Sequence, residues 1–331
     1  MQKGHYDGAA PASYNGAMTV SSPPAPVAET GAPESGAAAR LRATRFALAA
    51  LFLGGFATSL SGIFIKLSEL PPTATGFYRV FLSTPLLFLW LRWERPRLKT
   101  FARPSGWRDY RDLVVAGVLF GINTTCWCWC MHYTSVANGQ LIANMSPIFV
   151  SLGAFIFLRE RFGGVFLVGL ALTLAGVATL MGESVTLGGD QIVGDLLAVG
   201  SAFFWSCYLI ATQNLRRRFS TATLMTWTAA ISALLLLAVS QIAGDPLIPS
   251  TFKGWAALFG LAFVSQVAGQ GMITYAFAEL PASFIAIGLL IQPIYAMIVA
   301  WPILGEAPAP IQVLAGGIVL TGIVLARRGS K

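Results

Sequence analysis

One guanidinium stands well inside an apolar stretch of this chain, Arg79 within PTATGFYRVFLSTPLLFLW. Among apolar neighbours an arginine costs several kcal/mol unless it is paired, snorkels or faces water. A site for an anionic group such as a carboxylate is one reading, and a snorkelling or carbonyl-bound structural arginine is the other. The remaining polar groups in apolar stretches are mostly amides: Asn123, Asn138, Asn144, Gln266, Gln270 and Gln292. Gln266 and Gln270 lie one helical turn apart, and Thr274 extends their stripe. Tyr295 follows Gln292 by three residues, while Trp205 and Tyr208 would offer an aromatic wall. As a set these side chains read as the lining of a polar substrate cavity; singly, each also fits an interhelical hydrogen bond or a core aromatic.

Other chemistries fit poorly. The CWCWC run of Cys126, Cys128 and Cys130 puts Cys126 and Cys130 on one helical face and Cys128 on another, with no acid or histidine placed to complete a metal site. Small thiols packed against indoles are expected, and no metal or cofactor is. There is no HExxH, no close acid pair and no Walker motif, so neither intramembrane catalysis nor ATP hydrolysis is expected of the chain. Pro147 and Pro293 each remove an amide donor from an apolar stretch, as a hinge or gate would require, although a static kink is the alternative. Glu160 and Glu306 fall just past such stretches, where local hydrogen bonds or ion pairs are expected, and Lys66 reads as an interfacial anchor. Gly117 with Gly121, and Ala171 with Ala175, suit close helix packing.

The elements that position these groups follow from composition. Of the residues, 55% are apolar and 11% charged. The apolar ones form ten blocks, at 44–67, 73–93, 112–133, 136–158, 162–182, 191–212, 221–243, 252–277, 282–304 and 308–326. A bilayer core about 30 Å thick needs roughly 20 apolar residues as helix, with every amide satisfied inside its segment. The expected fold is therefore an all-α integral membrane protein of ten transmembrane helices. Residues 1–43, rich in Pro, Ala, Gly and Ser, are expected to be a disordered cytosolic tail without signal-peptide character, and Met18 is an alternative start. Residues 327–331 form a short cytosolic end.

The net charge of +8 and pI near 9.6 belong to the loops, so a membrane surface explains them better than nucleic acid does. Lys and Arg crowd alternate loops, from Arg40 through the run Arg216-Arg217-Arg218 to Lys331, while the other face has only Lys66 and Lys253. The positive-inside rule puts both termini in the cytoplasm.

A shift of 146 residues superposes Pro147 on Pro293, Glu160 on Glu306, Leu174 on Leu320 and Gly176 on Gly322. The chain thus reads as two five-helix repeats, 44–182 and 191–326. Five is odd, so the second repeat enters from the opposite face, and such inverted pairs are the usual construction of secondary transporters.

Three stretches carry a family resemblance: MHYTSVANGQLIANMSPIFVSLGAFIFLRERF (Met131–Phe162), ELPASFIAIGLLIQPIYAMIVAWPILGE (Glu279–Glu306) and GDLLAVGSAFFWSCYLIATQNL (Gly194–Leu215). Together they resemble EamA-type transporters of the drug/metabolite transporter superfamily. The resemblance implies a ten-helix carrier with a central cavity, exporting amino acids, metabolites or amphiphilic compounds across a bacterial inner membrane. The alternatives are a nucleotide-sugar or phosphorylated-metabolite carrier, for which one inward cation is few, and more remotely an intramembrane enzyme. Proton antiport and facilitated diffusion both remain open, as does a homodimer.

Overall fold

A computed structural model describes residues 33–94, 104–158, 163–187, 189–280 and 288–329. Two compact units divide at Leu41, and the architecture below is that of Arg42–Lys331. The described residues are helical, joined by short turns.

Several helices break, and the sequence explains where. The first apolar stretch is α1 (Pro33–Ser59) followed by α2 (Ser61–Leu67). Thr58 donates back to the carbonyls of Gly54 and Gly55, and Ser59 to that of Phe56, a pattern that bends a helix. The next stretch is α3 (Pro72–Phe81) and α4 (Ser83–Glu94). Pro85 has no N–H for the Phe81 carbonyl, so the break falls at Leu82. After α5 (Trp107–Tyr133), the fourth stretch is split into α6 (Val136–Ala143) and α7 (Ser146–Leu158). Then come α8 (Gly164–Leu187), α9 (Gly189–Arg218) and α10 (Thr221–Ala243). The eighth stretch runs from α11 (Phe252–Phe259) through a π-helical segment (Gly260–Gly269) into α12 (Gln270–Glu279). A 3₁₀ turn (Leu289–Ile291) leads into α13 (Gln292–Leu304), and α14 (Pro310–Gly329) ends the fold.

The two expected hinge prolines occupy equivalent places. Pro147 is the second residue of α7 and Pro293 the second of α13. Neither removes a bond from the middle of a continuous helix, as the sequence suggests. Each opens a new segment, where the first N–H groups lack helical partners in any case.

Among the described residues, six helical stretches are long and apolar enough to cross a membrane: Thr44–Leu67, Pro72–Glu94, Trp107–Tyr133, Gly189–Thr212, Thr221–Ala243 and Phe252–Ala276. Shorter apolar helices lie at Gly164–Leu180, Leu289–Leu304 and Pro310–Ala326. Only 33–56% of each long apolar window is buried inside the bundle, so the rest forms an outward apolar face suited to lipid rather than water. The helix α1 begins at Pro33, inside the stretch expected to be disordered, because Ala, Glu and Arg in ESGAAARLRATR favour helix. Residues 1–32 of that expected tail, and Arg159, Glu160 and Arg161, lie outside the described residues.

The most extensive helix packing is α8 against α14 and α5 against α9. Small residues permit it, in part where expected. Cβ atoms on Gly117 and Gly121 would meet Ile231 at 2.6 Å and Leu235 at 2.8 Å, so α10 lies directly over both glycines. Ala171 and Ala175 instead face outward, and the α8 interface is made by Gly169, Thr173 and Gly176. The helix is rotated from the expected face because Gly169, Thr173 and Gly176 keep the i, i+4, i+7 spacing of a single face and meet Gly322, Val319 and Ala315 of α14.

Candidate functional site

Arg79 sits in the last turn of α3, partly buried. Its Nε donates to Gln266 Oε1 at 2.9 Å and its Nη1 to Ser61 Oγ at 3.3 Å. Ser61 also accepts from Trp127 Nε1 at 3.0 Å, so a second, neutral donor shares that hydroxyl. Both partners of the guanidinium are neutral oxygens, and among the described residues no carboxylate lies within ion-pair distance of it. Two of five N–H donors are engaged in this way. The arrangement holds the guanidinium in place without neutralising it.

The Gln266 partner depends on the unusual backbone of the eighth stretch. A π-helix widens the turn, and Ser265 of that segment donates to the Ala57 carbonyl at 2.9 Å. The close approach needs glycine on both sides: a Cβ on Gly54 would lie 2.9 Å from the Gly269 carbonyl, and one on Gly269 would lie 2.8 Å from Thr58 Cγ2. Backbones this close bring Gln266, 3% exposed, under Arg79.

One turn from Ser61, Thr58 begins a second set of contacts. Its hydroxyl accepts from Gln292 Nε2 at 2.6 Å, and Gln292 Oε1 receives a longer contact of 3.4 Å from Gln140 Nε2. Gln292 begins α13 and Gln140 lies in α6, so these contacts join the starts of α13 and the α6–α7 stretch to the break between α1 and α2. Two acceptors in α6 are left over. Asn138 Oδ1 and Gln140 Oε1 are buried with no hydrogen-bond partner. A buried orphan acceptor costs about 1–3 kcal/mol, so a donor arriving here would be bound favourably.

The other expected site residues fall elsewhere. Asn144 is the C-cap of α6, its Nδ2 donating to the Gln140 carbonyl at 2.7 Å. Asn123 Oδ1 accepts from Ser201 Oγ at 2.9 Å, an α5–α9 bond. Gln270 opens α12, and its carbonyl accepts from Thr274. Tyr295 stands edge-on to Phe56 at 5.5 Å. Trp205 and Tyr208 pack with Phe120 in an apolar cluster that includes Phe77 and Leu236. Of the ten expected lining residues, Arg79 and Gln266 meet in the first of these sets, and Gln292 enters the second, where its partners are Thr58 and Gln140.

Four members of these two sets escape the sequence reading: Ser61, Thr58, Trp127 and Gln140. Gln140 in VANGQL carried the same signal as its neighbours Asn138 and Asn144, an amide in an apolar stretch. The Ser and Thr gave none, because hydroxyls in apolar helices usually bond their own backbone. In the CWCWC run the thiols fill gaps, Cys128 against Gly76 and Cys130 against Gly139, while Trp129 Nε1 donates to Thr73 Oγ1 at 3.0 Å. Among the described residues no group of three metal-ligating side chains converges.

At the end of the bundle that holds the short turns, Lys66 pairs with Glu306 at 2.6 Å instead of acting as a lone interfacial anchor. Glu69 there accepts from the hydroxyl of Thr251 and from the backbone N–H groups of Ser250 and Thr251. The Thr251 hydroxyl, ahead of opposing desolvation and the two backbone donors, holds the Glu69 carboxyl below its ordinary value.

The sequence pattern of the EamA-like transporter family matches residues 45–182 and again 192–328. The chain is 27% identical over 275 residues to an uncharacterized transporter of Archaeoglobus fulgidus, covering 80% of this chain and 91% of that one. It is 24% identical over 282 residues to the pseudopaline exporter of Pseudomonas aeruginosa, covering 84% and 95%. To the riboflavin transporter of Vibrio cholerae it is 25% identical over 256 residues, covering 76% and 75%. A crystal structure with 19% sequence identity superposes with a TM-score of 0.57 over 87% of this chain and 97% of the other, a likeness of fold alone. With the family pattern present twice over a bundle of apolar helices, the chain is a multi-pass membrane protein of the EamA-like transporter family, within the drug/metabolite transporter superfamily.

Proposed function

We propose that this protein is a secondary carrier that moves a small anionic or zwitterionic metabolite by alternating access, without acting as an enzyme. The observation that supports this best is Arg79: a cation inside the bundle, oriented by Gln266 and Ser61 and left without a carboxylate among the described residues. A substrate carboxylate would complete it, because charge-assisted bonds to guanidinium are strong and directional. The orphan acceptors Asn138 Oδ1 and Gln140 Oε1 would receive a donor such as an ammonium. Asn123, Asn144, Gln270, Trp205, Tyr208 and Tyr295 would enter the lining as the halves move, with Pro147 and Pro293 at the segment joints.

The chain would cross the membrane ten times as two inverted five-helix repeats, with the split α6–α7 pair counted as one crossing. Its termini would be cytoplasmic in a bacterial inner membrane. Two relatives named for substrates, pseudopaline and riboflavin, support small metabolites as the class. A nucleotide-sugar carrier would want more inward cations than Arg79.

The test is uptake of labelled amino acids, other carboxylates and neutral metabolites into proteoliposomes, with and without a pH gradient. Saturable flux of a carboxylate should fall at least tenfold in Arg79→Ala and recover partly in Arg79→Lys. Equal flux in wild type and Arg79→Ala would refute the role of Arg79. Dependence on the pH gradient would identify proton coupling.

A further inference from the structure

We propose that Glu306 is the outer gate latch of the carrier, holding the bundle shut at the face opposite the basic loops through Lys66 and the α6 backbone. The assignment of faces rests on the inverted-repeat reading above.

The latch is built by one turn. At the end of α13, Gly305 adopts φ +72°, and its N–H bonds to the Trp301 carbonyl. This left-handed step is one that glycine takes without the penalty other residues meet, and it turns the chain so that Glu306 reaches back over the bundle. Its two oxygens are then divided between partners from the first repeat. Oε1 lies 2.6 Å from Lys66 Nζ at the end of α2, and Oε2 accepts from the Val136 N–H at 2.8 Å. Val136 is the first residue of α6, so its N–H has no helical acceptor and a carboxylate there also meets the positive end of the helix. Both charged side chains are mostly covered, at 23% and 22% exposure, where a pair is screened less than at an open surface. A single carboxylate of the second repeat thus ties together the first and fourth helices of the first.

Below this tie lies a cavity of about 320 Å³ whose lining includes Lys66, Glu306, His132, Thr75, Leu304 and Cys128. Cys128 is fully buried and touches Gly76, one turn before Arg79. The cavity therefore extends from the latch toward the level of the guanidinium, as an exit vestibule would. Lys66, His132 and Glu306 are its titratable or charged members, and Cys128 marks its inner end.

Under the 146-residue shift Lys66 corresponds to Thr212, whose hydroxyl bonds the Tyr208 and Leu209 carbonyls of its own helix. The cation of the latch has no equivalent there. At the opposite, basic face Arg218 at the end of α9 pairs with Asp109 of α5 at 2.7 Å, between helices that pack along their length, whereas the Lys66–Glu306 pair joins helix ends and must break for its face to open, so it favours the state closed to the outside.

Cys128 supplies a native reporter. With Cys126, Cys130 and Cys207 changed to Ser, a membrane-impermeant thiol reagent is added outside cells or oriented proteoliposomes, and the rate of Cys128 modification is read. Glu306→Gln and Lys66→Gln should each raise that rate roughly two- to fivefold, in line with the loss of one partly covered charge pair. The exchange Lys66→Glu with Glu306→Lys should restore slow labelling only in part, since an ammonium cannot accept from the Val136 N–H. Unchanged rates in both single variants, with monodisperse helical protein, would overturn the proposal. So would labelling that rises only from the cytosolic side. A cleavable cross-link between Lys66→Cys and Glu306→Cys in a background lacking other cysteines keeps the idea testable if a single variant misfolds. It should keep outside labels from a bundle cysteine restored at position 128, until reductant reopens it. These readouts need no substrate, so a failed search for flux leaves the latch standing or fallen on its own evidence.

Discussion

Replacing Gly169 with Ala should loosen the α8–α14 contact by an amount the backbone geometry sets. A Cβ at this position would lie 2.1 Å from the Ala326 nitrogen, 2.6 Å from Ala326 Cα and 2.6 Å from the Gly322 carbonyl oxygen. Ordinary contact begins near 3.4 Å, so the shortfall is 3.4 − 2.1, about 1.3 Å. The atoms it meets are main chain, so rotating a side chain relieves nothing, and the helices must separate. A gap of 0.5–1 Å forfeits a quarter to a half of the dispersion attraction along the contact. Overpacking of this kind costs about 1–3 kcal/mol. At roughly 2–4 °C per kcal/mol, the midpoint of thermal unfolding in detergent should fall by roughly 2–12 °C. Gly317→Ala on α14 is the matched control: its Cβ would meet nothing within 4 Å, and its better helix propensity should leave stability unchanged or raise it by up to about 1 kcal/mol. Ala326→Gly should not rescue Gly169→Ala, because the clash is with the Ala326 nitrogen and Cα rather than its methyl. A Gly169→Ala protein as stable as Gly317→Ala, followed by intrinsic fluorescence or a thiol-reactive dye, would refute this account of the packing.

Other consequences are equally direct. Gln292→Leu removes the partner of both Thr58 and Gln140, and should cost about 1–3 kcal/mol in thermal unfolding and lower any saturable flux. Unaltered stability would show that these contacts bear no weight. The Glu69 carboxyl has a lowered folded value, so its contribution is present above the unfolded carboxylate value near 4.5 and is lost as pH falls through the folded one. The midpoint gap between wild type and Glu69→Gln should therefore shrink below pH 4.5, and a constant gap would deny the charged role. Gly305→Ala, forced into the left-handed region, should cost about 1–2 kcal/mol and speed outside labelling of Cys128 if the turn aims Glu306.

The site was legible by residue type and illegible by partner. An arginine and a set of amides in apolar blocks announce a polar interior, because the membrane gives such groups no solvent. Which amides meet depends on how each helix is rotated and where it breaks. Gln266 reaches Arg79 through a π-helical segment that no periodicity in GLAFVSQVAG signals, since the segment forms where two glycine backbones touch. Trp205 and Tyr208 are one turn apart as expected, yet they pack on Phe120, an arrangement set by the facing helix. Glu306 was expected to make an ion pair, but its partners, 170 and 240 residues away in sequence, exist only in the folded bundle.

What the sequence alone determined was the helical, membrane-spanning class, the duplication and the approximate segment ends. Each follows from a local requirement: a segment in lipid must satisfy its own amides, and Pro, Gly and charge mark where that stops. The outcome decided only by tertiary structure was which face of each segment is the inner one. On α8 the small residues at 171 and 175 were as suitable by type as those at 169, 173 and 176, yet α14 lies on the latter. Close packing selects the face where two backbones fit, and the polar contacts of Arg79, Gln292 and Glu306 follow from that fit.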